Sequence, residues 1–480
     1  MTIQYPNEKT CVVVGLGYIG LPTAAVIASA GVKVVGVDIN EKIVRAVARG
    51  KCNSVEPGLA ELVAEVVGSG QLKAQSGMPR GDVFIIAVPT PFEGGFKPDL
   101  SYVRAAARSI APVLAKGNLV VVESTIPVGA TEQVAGWLRE WRPDLTFSER
   151  DATISHKPNV YVAHSPERIL PGQMLTELVR NDRVIGGVCE GAAKVARDFY
   201  KRFVAGDVVA TDARTAELCK LTENAFRDVN IAFANELAQV CEESQVDVWE
   251  LIQHANRHPR VKILKPGPGV GGHCIAVDPW FLVSALSEKT RLMREARWIN
   301  NERPRQVVRN VMANVGKLKP KTVACFGLSY KADVDDMRES PAVEIVATLA
   351  KELQLHAPGV KLLVTDPHIT EDLPHELEDA HLDVVPLERA LKADLLVMLV
   401  DHRPFLAVPR EALKGKTIID TRGVWNKGRA STWGTRSSTT ATTDRKAPVA
   451  AAAKPTVAAR GRAARGKRAT TSVGRVAPVN

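Results

Sequence analysis

The chain has no CxxC pair: its seven cysteines, at 11, 52, 189, 219, 241, 274 and 325, are scattered through 480 residues. An odd, dispersed set argues against a disulfide framework and a zinc site, and fits a reducing compartment. No metal site is expected. A membrane-length apolar segment is missing as well. Cys11–Val32 carries no charged residue, but four glycines and Pro22 interrupt it, and it lacks the basic start and cleavage pattern of a signal peptide. A soluble, cytoplasmic protein with no membrane partner is the expectation.

Acidic residues almost vanish towards the end. Residues 427–480 hold 12 Lys+Arg against the single Asp444. That leaves 51 basic and 52 acidic residues in 1–426, so the net charge of +10 belongs to the tail and not to the body. The tail, running through KAPVAAAAKPTVAARGRAARGKRATTS, also has almost no large apolar side chains. Such a composition cannot bury enough surface to offset the entropy of ordering, so disorder is expected. Its charge would attract nucleic acid or anionic lipid without sequence preference. A solvated extension is the plainer reading; the rival is a basic-tailed nucleic-acid-binding protein with a non-catalytic body.

The neutral body shows two series of short β-branched runs alternating with helical patterns. Cys11–Val14, Val34–Val37, Val83–Val88 and Leu119–Val122 read as buried parallel strands, with Leu21–Ala30, Glu41–Arg49 and Tyr102–Leu114 as crossover helices. Thr322–Phe326, Lys361–Val364, Leu395–Val400 and Thr417–Ile419 form the second series, with Pro341–Leu353 as its first helix. Between them Arg214–Glu243 is a helical pattern free of Gly and Pro. The expected fold is α/β: two Rossmann-like doubly wound domains joined by a long central helix, with a ligand cleft at their junction.

The first strand runs into GLGYIG, which places Gly15, Gly17 and Gly20 between a strand and a helix. These glycines permit a tight turn, close approach of a pyrophosphate, and close helix–strand packing. The second strand ends at Asp38, where an acid suits the ribose hydroxyls of NAD and repels the extra phosphate of NADP. The third and fourth strands end in AVPTP and ESTIPVGAT, whose threonines (Thr90, Thr125, Thr131) fall at or just past the carboxyl ends of parallel strands. Thr125 is placed to reach a reacting centre as well as a cofactor.

Two further stretches carry chemistry. In KLTENAFRD, Lys220, Asn224 and Arg227 share one helix face. The run LKPGPGVGGHCIAVD sets four glycines and two prolines ahead of Cys274, a shaped loop that lets a backbone or ligand come close. A thiolate beside a nicotinamide can attack an aldehyde, and a nearby lysine and amide can move a proton and steady the oxyanion. Those parts would convert an alcohol to an acid in two NAD-dependent steps. A one-step hydride-transfer enzyme is the remaining alternative, and the loop that presents Cys274 stands against it.

Together GLGYIGLPTA, AVPTP, ESTIPVG, HSPER, KLTENAFRD, PGPGVGGHCIAVD, FGLSYKADVDDMRESP and TRGVW resemble the UDP-glucose/GDP-mannose dehydrogenase family, in the family's order and over residues 11–426. Within it, VEPGLAELV, NDRVIGG, GGHC in place of the GGSC of the UDP-glucose branch, and LVMLVDH resemble the branch acting on UDP-N-acetyl-D-mannosamine, with UDP-N-acetylglucosamine or UDP-glucose as the alternative substrates. The resemblance implies an NAD domain at 1–211, a helical dimer-forming region at 212–317, a UDP-binding domain at 318–426 and the tail at 427–480. It implies Cys274 as nucleophile, Lys220 and Asn224 for proton transfer and the oxyanion, and Asp278 and Glu167 for thioester hydrolysis. Gly15, Gly17, Tyr18, Ile19, Gly20, Asp38, Thr90, Thr125, Thr131 and Arg338 would meet NAD. Arg168, Ile169, Lys220, Asn224, Arg227, Gly271, Tyr330, Lys331 and Arg422 would meet the UDP-sugar, with His258 and Arg260 reaching it from a neighbouring subunit. A homodimer or dimer-based oligomer follows.

Overall fold

The computed structural model describes residues 9–425, except 53, 55, 95, 151–157, 171, 273, 370–372 and 379. The basic tail from 427, His273 of the glycine loop and most of the polar stretch 148–159 therefore lie outside the described residues.

The first half forms one eight-stranded sheet. Its strands are β1 (Thr10–Val14), β2 (Lys33–Val37), β3 (Leu72–Gln75), β4 (Val83–Ile86), then, after a short hairpin of β5 (Phe92–Glu93) and β6 (Lys97–Pro98), β7 (Asn118–Val122), β8 (Val160–His164), β9 (Arg183–Gly187) and β10 (Val208–Asp212). The order is β10-β9-β8-β7-β4-β1-β2-β3, so six strands follow the 3-2-1-4-5-6 doubly wound arrangement and two extend one edge. All neighbours are parallel except β8 and β9. Strand β1 shows why the runs read as they do: Cys11 and Val13 pack into one apolar layer, Val12 and Val14 into the other, and a strand buried on both faces has no polar alternation.

The second half repeats the scheme with β11 (Thr322–Phe326), β12 (Lys361–Thr365), β13 (Asp383–Val384), β14 (Leu395–Met398) and β15 (Thr417–Asp420), all parallel in the order β13-β12-β11-β14-β15. Val323 and Cys325 face one layer; Ala324 and Phe326 face the other.

Two long helices join the lobes. Ala213–Glu243 is capped by Asp212, whose carboxylate accepts from Thr215 N at 3.0 Å. Its buried residues (Ala216, Lys220, Leu221, Ala225, Asp228, Ala232, Asn235) recur at three- and four-residue steps and pack on the second helix, Arg291–Leu318. That second helix has no counterpart in the sequence reading, because Pro304 lies inside it and an interior proline ordinarily breaks a helix. Here Pro304 is buried and lies against the glycine loop near Gly269, where packing offsets the lost hydrogen bond. Among the described residues no helix is long and apolar enough to cross a membrane.

Candidate active site

The glycine turn after β1 shows what each missing Cβ permits. A Cβ on Gly15, whose φ is +95°, would stand 2.5 Å from the Ala87 carbonyl oxygen at the end of β4; one on Gly20 would stand 1.9 Å from the Gly15 oxygen. A Cβ on Gly17 would meet nothing within 4 Å. Two glycines thus allow the strand ends and the helix to close up, and the third leaves open space at a helix start that no side chain caps. Open space and free N–H groups at a helix N-terminus suit a pyrophosphate. Asp38 accepts from Leu16 N at 2.7 Å and Asn40 N at 2.8 Å, which ties the end of β2 to the same turn. Thr90 Oγ1 donates to the Thr125 carbonyl at 2.7 Å, bringing these two predicted residues side by side. Thr131 is different: it is fully buried, and its hydroxyl and N–H both go to Glu217 on the long helix. Glu217 also takes the Gly129 N–H and so caps the helix that follows β7; nothing in the sequence around it signalled that role.

The carboxyl ends of the strands and the long helix then assemble a buried ionic pocket. Lys220 Nζ lies 3.9 Å from Glu167 Oε2, and both side chains are about nine-tenths buried. Glu167 therefore does not pair with Arg168, which forks instead onto Glu223 at 2.6 Å; Glu167 also takes the Ile169 N–H. Asn224 Nδ2 donates to Asp278 Oδ2 at 2.5 Å. Asp278 opens the helix Asp278–Ala285. One turn earlier stands Cys274, whose carbonyl accepts from Asp278 N at 2.8 Å. Asp182 and Arg183 do not form an ion pair: Asp182 accepts from Asp207 N at 2.9 Å, while the buried Arg183 directs its charge towards Glu123.

Electrostatics couple these groups. Burial pushes the Cys274 thiol up to about 12, against the pull of the Lys220 ammonium, with Asp278 and Glu167 adding to the rise. The resting sulfur is therefore a thiol and not the thiolate the sequence suggested, because two nearby carboxyl groups and desolvation outweigh one ammonium. Burial would lower Lys220, but Glu167, Asp278 and Cys274 together raise it, so it stays an ammonium. Burial lifts Asp278 to about 6, with Lys220 and Asn224 opposing.

The glycine loop is pinned by the two long helices and by the second lobe. Gly267 N donates to Asn235 Oδ1 at 2.9 Å, and Arg303 Nε donates to the Gly267 carbonyl at 3.1 Å. Asn235 in turn donates to Asn300, which donates to Asp228, itself held by Arg297 at 2.6 Å. A Cβ on Gly271 would stand 2.3 Å from the Glu339 carbonyl; one on Gly272, at φ +78°, would stand 2.8 Å from the Tyr330 ring. The backbone of this loop thus lies directly on the second lobe. The question of why so many glycines precede Cys274 has a steric answer.

Beyond the loop a pocket of about 300 Å³ of space open to solvent is lined by Gly269, Tyr330, Lys331, Asp401 and Arg422, among others. Asp401 orients Arg422 through Nε at 2.9 Å. Burial and the nearby charge of Arg227 on the long helix both lower Lys331, and Lys331 and Arg422 line this pocket together. Such a pair suits a diphosphate. Arg338 forks onto Asp336 at 2.6 and 2.9 Å and lies near Tyr18 and Tyr330. Ile19 precedes the glycine-turn helix. His258 and Arg260 occupy an exposed turn after the helix Val248–Ala255 and are not among the residues lining the pocket.

A chain with two doubly wound lobes, a dinucleotide turn and a cysteine beside buried lysine, asparagine and carboxylates has the parts of a nucleotide-dependent oxidoreductase. Family models match it in three consecutive segments: the NAD binding domain at 9–204, the central domain at 214–302 and the UDP binding domain at 324–427. The chain belongs to the UDP-glucose/GDP-mannose dehydrogenase family and is an NAD-dependent enzyme of that family. It is 53% identical over 422 residues (88% of this chain, 97% of the relative) to an NDP-N-acetyl-D-galactosaminuronic acid dehydrogenase of Ralstonia nicotianae. It is 51% identical over 425 residues (87% and 99%) to the UDP-N-acetyl-D-mannosamine dehydrogenase of Salmonella typhi. Among solved structures, a UDP-N-acetyl-D-mannosamine dehydrogenase of Pyrococcus horikoshii superposes with a TM-score of 0.75 at 39% identity, covering 86% of this chain and 96% of that one. The corresponding Staphylococcus aureus enzyme gives 0.74 at 41%, covering 86% and 95%.

Proposed function

We propose that the protein oxidises the C6 hydroxyl of UDP-N-acetyl-D-mannosamine to the uronate, with two NAD consumed and Cys274 carrying the intermediate covalently. The observation that carries this reading is the convergence of Cys274, Lys220, Asn224, Asp278 and Glu167 between a dinucleotide turn and a cationic pocket. Gly15, Gly17 and Gly20 would hold NAD, which would supply a hydride acceptor for C6 in each half of the reaction. The first oxidation leaves an aldehyde; in this and in the second oxidation the hydroxyl proton passes to the Asp278 carboxylate and on to solvent. The Cys274 thiol adds across that carbonyl, its proton passing to the carbonyl oxygen as the C–S bond forms, while the Lys220 ammonium and the Asn224 amide steady the charge growing on that oxygen. The second oxidation turns the thiohemiacetal into a thioester. Asp278, with its carboxyl near 6, takes a proton from the water that cleaves it, and the thiol is restored. Glu167 assists this hydrolysis beside Lys220. Lys331, Arg422 and Arg227 hold the diphosphate, with Arg168, Ile169, Gly271 and Tyr330 about the rest of the sugar nucleotide. Tyr18, Ile19, Thr90, Thr125 and Arg338 stay assigned to the cofactor, whereas the buried Thr131 is held by Glu217 instead.

One observation favours a second substrate: the Ralstonia relative is named for N-acetylgalactosaminuronic acid. NADH release from UDP-N-acetylmannosamine, UDP-N-acetylgalactosamine, UDP-N-acetylglucosamine and UDP-glucose separates the readings. Two NADH per UDP-N-acetylmannosamine is expected; one NADH per sugar would overturn the four-electron scheme.

A second copy of the chain is proposed to cover the outer face of the long helix. Leu218, Phe226, Phe233 and Val240 recur there at seven- and eight-residue steps with 43–69% of their surface exposed, and Trp298 on the next helix is 61% exposed. His258 and Arg260 would then serve the neighbour's site. Light scattering on the intact protein should give a dimer or a multiple of it, and a monomer would refute the interface. The uronate product would feed a surface polysaccharide, from an enzyme working in the cytoplasm.

A further inference from the structure

His402 of LVMLVDH is taken up by none of the roles above, yet it is completely buried. Its ring is fully engaged. Nδ1 lies 3.0 Å from the Asp333 backbone N–H; Nε2 lies 3.1 Å from Asp366 Oδ2 and 3.2 Å from Ser329 Oγ. A backbone N–H can only donate, so Nδ1 must be the acceptor and the ring proton sits on Nε2, shared with Asp366. The Ser329 hydroxyl donates to the Lys331 carbonyl at 2.7 Å, and Asp366 also accepts from the Leu328 N–H at 2.7 Å.

These bonds grip both ends of one turn. Between Ser329 and Asp333 stand Tyr330 and Lys331, which line the pocket. Asp333 has a φ of +60°, a conformation a non-glycine residue holds only when its surroundings impose it. What imposes it here is His402 on its N–H and Arg403, whose N–H and Nε reach the Asp333 carboxylate at 3.0 Å each. On the other side of His402, Asp401 orients Arg422.

We propose that His402 is a positioning residue for nucleotide binding: one neutral imidazole, protonated on Nε2, sets the Ser329–Asp333 turn so that Lys331 and Tyr330 meet the UDP half of the substrate. The inference rests on the UDP-binding role of this lobe. It assigns His402 no contact with the sugar or with NAD.

Calorimetry of UDP and of NAD on the full-length protein tests it, alongside steady-state kinetics. His402→Asn keeps an acceptor for the Asp333 N–H and should hold UDP affinity within about threefold. His402→Gln keeps only the donor towards Asp366, and His402→Leu keeps neither; both should weaken UDP binding and raise the sugar-nucleotide KM by about tenfold, roughly the worth of one well-placed hydrogen bond. NAD affinity and kcat should stay within about threefold. Should His402→Leu fail to fold, the ranking of the Asn over the Gln variant and a smaller UDP-specific loss in Ser329→Ala decide the matter. Equal UDP binding by the Asn and Gln variants, unaltered binding in His402→Leu, or parallel loss of UDP and NAD affinity would overturn the proposal. Absence of UDP binding by the unaltered protein would overturn the nucleotide reading of this lobe, and the turn's role with it.

Discussion

Lys220 Nζ stands 3.9 Å from Glu167 Oε2 in a pocket closed to solvent, although Glu223 on the same helix offers a second, exposed carboxylate. Glu223 is taken by Arg168, which leaves Glu167 to the lysine. Removing one partner of a buried pair strands the other charge, at a cost of about 3–5 kcal/mol. Lys220→Ala should therefore lower both stability and kcat, the latter by about a hundredfold or more for lost proton-transfer and oxyanion support. Lys220→Arg, which keeps the charge, should recover most of the stability and little of the rate. Urea unfolding and NADH production on the two variants check this. An Arg variant with normal turnover would mean that the lysine serves only to neutralise Glu167.

Because burial and two carboxyl groups push the Cys274 thiol up to about 12, the sulfur needs help at the moment of attack. Alkylation of the resting enzyme by iodoacetamide at pH 8 should be slow compared with a free thiol. Cys274→Ser should stop acid formation while leaving slow aldehyde production. Asp278→Asn should let the covalent sugar adduct on Cys274 accumulate, visible as a mass increase on the intact protein. In the unaltered enzyme, acid release should fall as pH drops through about 6, where Asp278 takes up its proton. A flat profile from pH 5 to 8 would remove Asp278 from the hydrolytic step.

The glycine loop gives a test of fit rather than of chemistry. A methyl group on Gly271 would sit 2.3 Å from a carbonyl oxygen, which backbone cannot yield cheaply, whereas one on Gly272 meets the Tyr330 ring and must also hold φ at +78°. Gly271→Ala should destabilise by about 1–3 kcal/mol and lower kcat by shifting Cys274. Gly272→Ala paired with Tyr330→Ala should recover part of the loss caused by Gly272→Ala alone. Differential scanning calorimetry with turnover measured on the same samples decides. No recovery in the pair would mean that φ strain, not the ring, sets the cost.

Much of this architecture was legible because strands buried on both faces leave unbroken apolar runs. Thr322–Phe326 was bounded to the residue, and the long helix to within one residue. Strands β8 to β10 were not read, since Arg183 and two glycines in β9, and Thr211 and Asp212 in β10, dilute the apolar signal at a sheet edge. The helix Arg291–Leu318 was hidden by Pro304. At the site, motifs named the residues proposed to touch ligands, because such residues cluster near glycines and strand ends. They missed Glu217, Asn235, Arg303 and His402, which act on backbone N–H and C=O groups contributed from distant segments. Nothing local marks a residue whose partner lies 32 or 69 positions away. The protonation of Cys274 was equally hidden, since it depends on burial by both lobes.

Asp38 does two things at once. Its carboxylate holds the Leu16 and Asn40 N–H groups and stands where the cofactor's ribose is expected. Asp38→Ser should weaken NAD binding and raise the NADP-to-NAD ratio of kcat/KM at least about tenfold, as one repulsive charge is removed. Unchanged preference in a folded variant would place the ribose elsewhere.

His164 ends β8 fully buried, with Nδ1 2.7 Å from the Val122 carbonyl, so that nitrogen carries the hydrogen. Burial pushes its pKa down to about 4, the Val122 bond opposing and the Lys220 charge adding to the fall. The unfolded chain takes up this proton near pH 6.5, while the native ring refuses it until about pH 4. Stability from this residue is therefore complete above pH 6.5 and is lost as pH falls, by about 2 kcal/mol at pH 5 and about 3 kcal/mol by pH 4. His164→Asn keeps a donor for Val122 without titrating. Its stability relative to the unaltered protein should rise on moving from pH 7 to pH 5 by that same 2 kcal/mol, whatever the other acids contribute to both proteins. Urea unfolding at the two pH values measures the difference, and an equal loss in both proteins would show that His164 accepts its proton while folded.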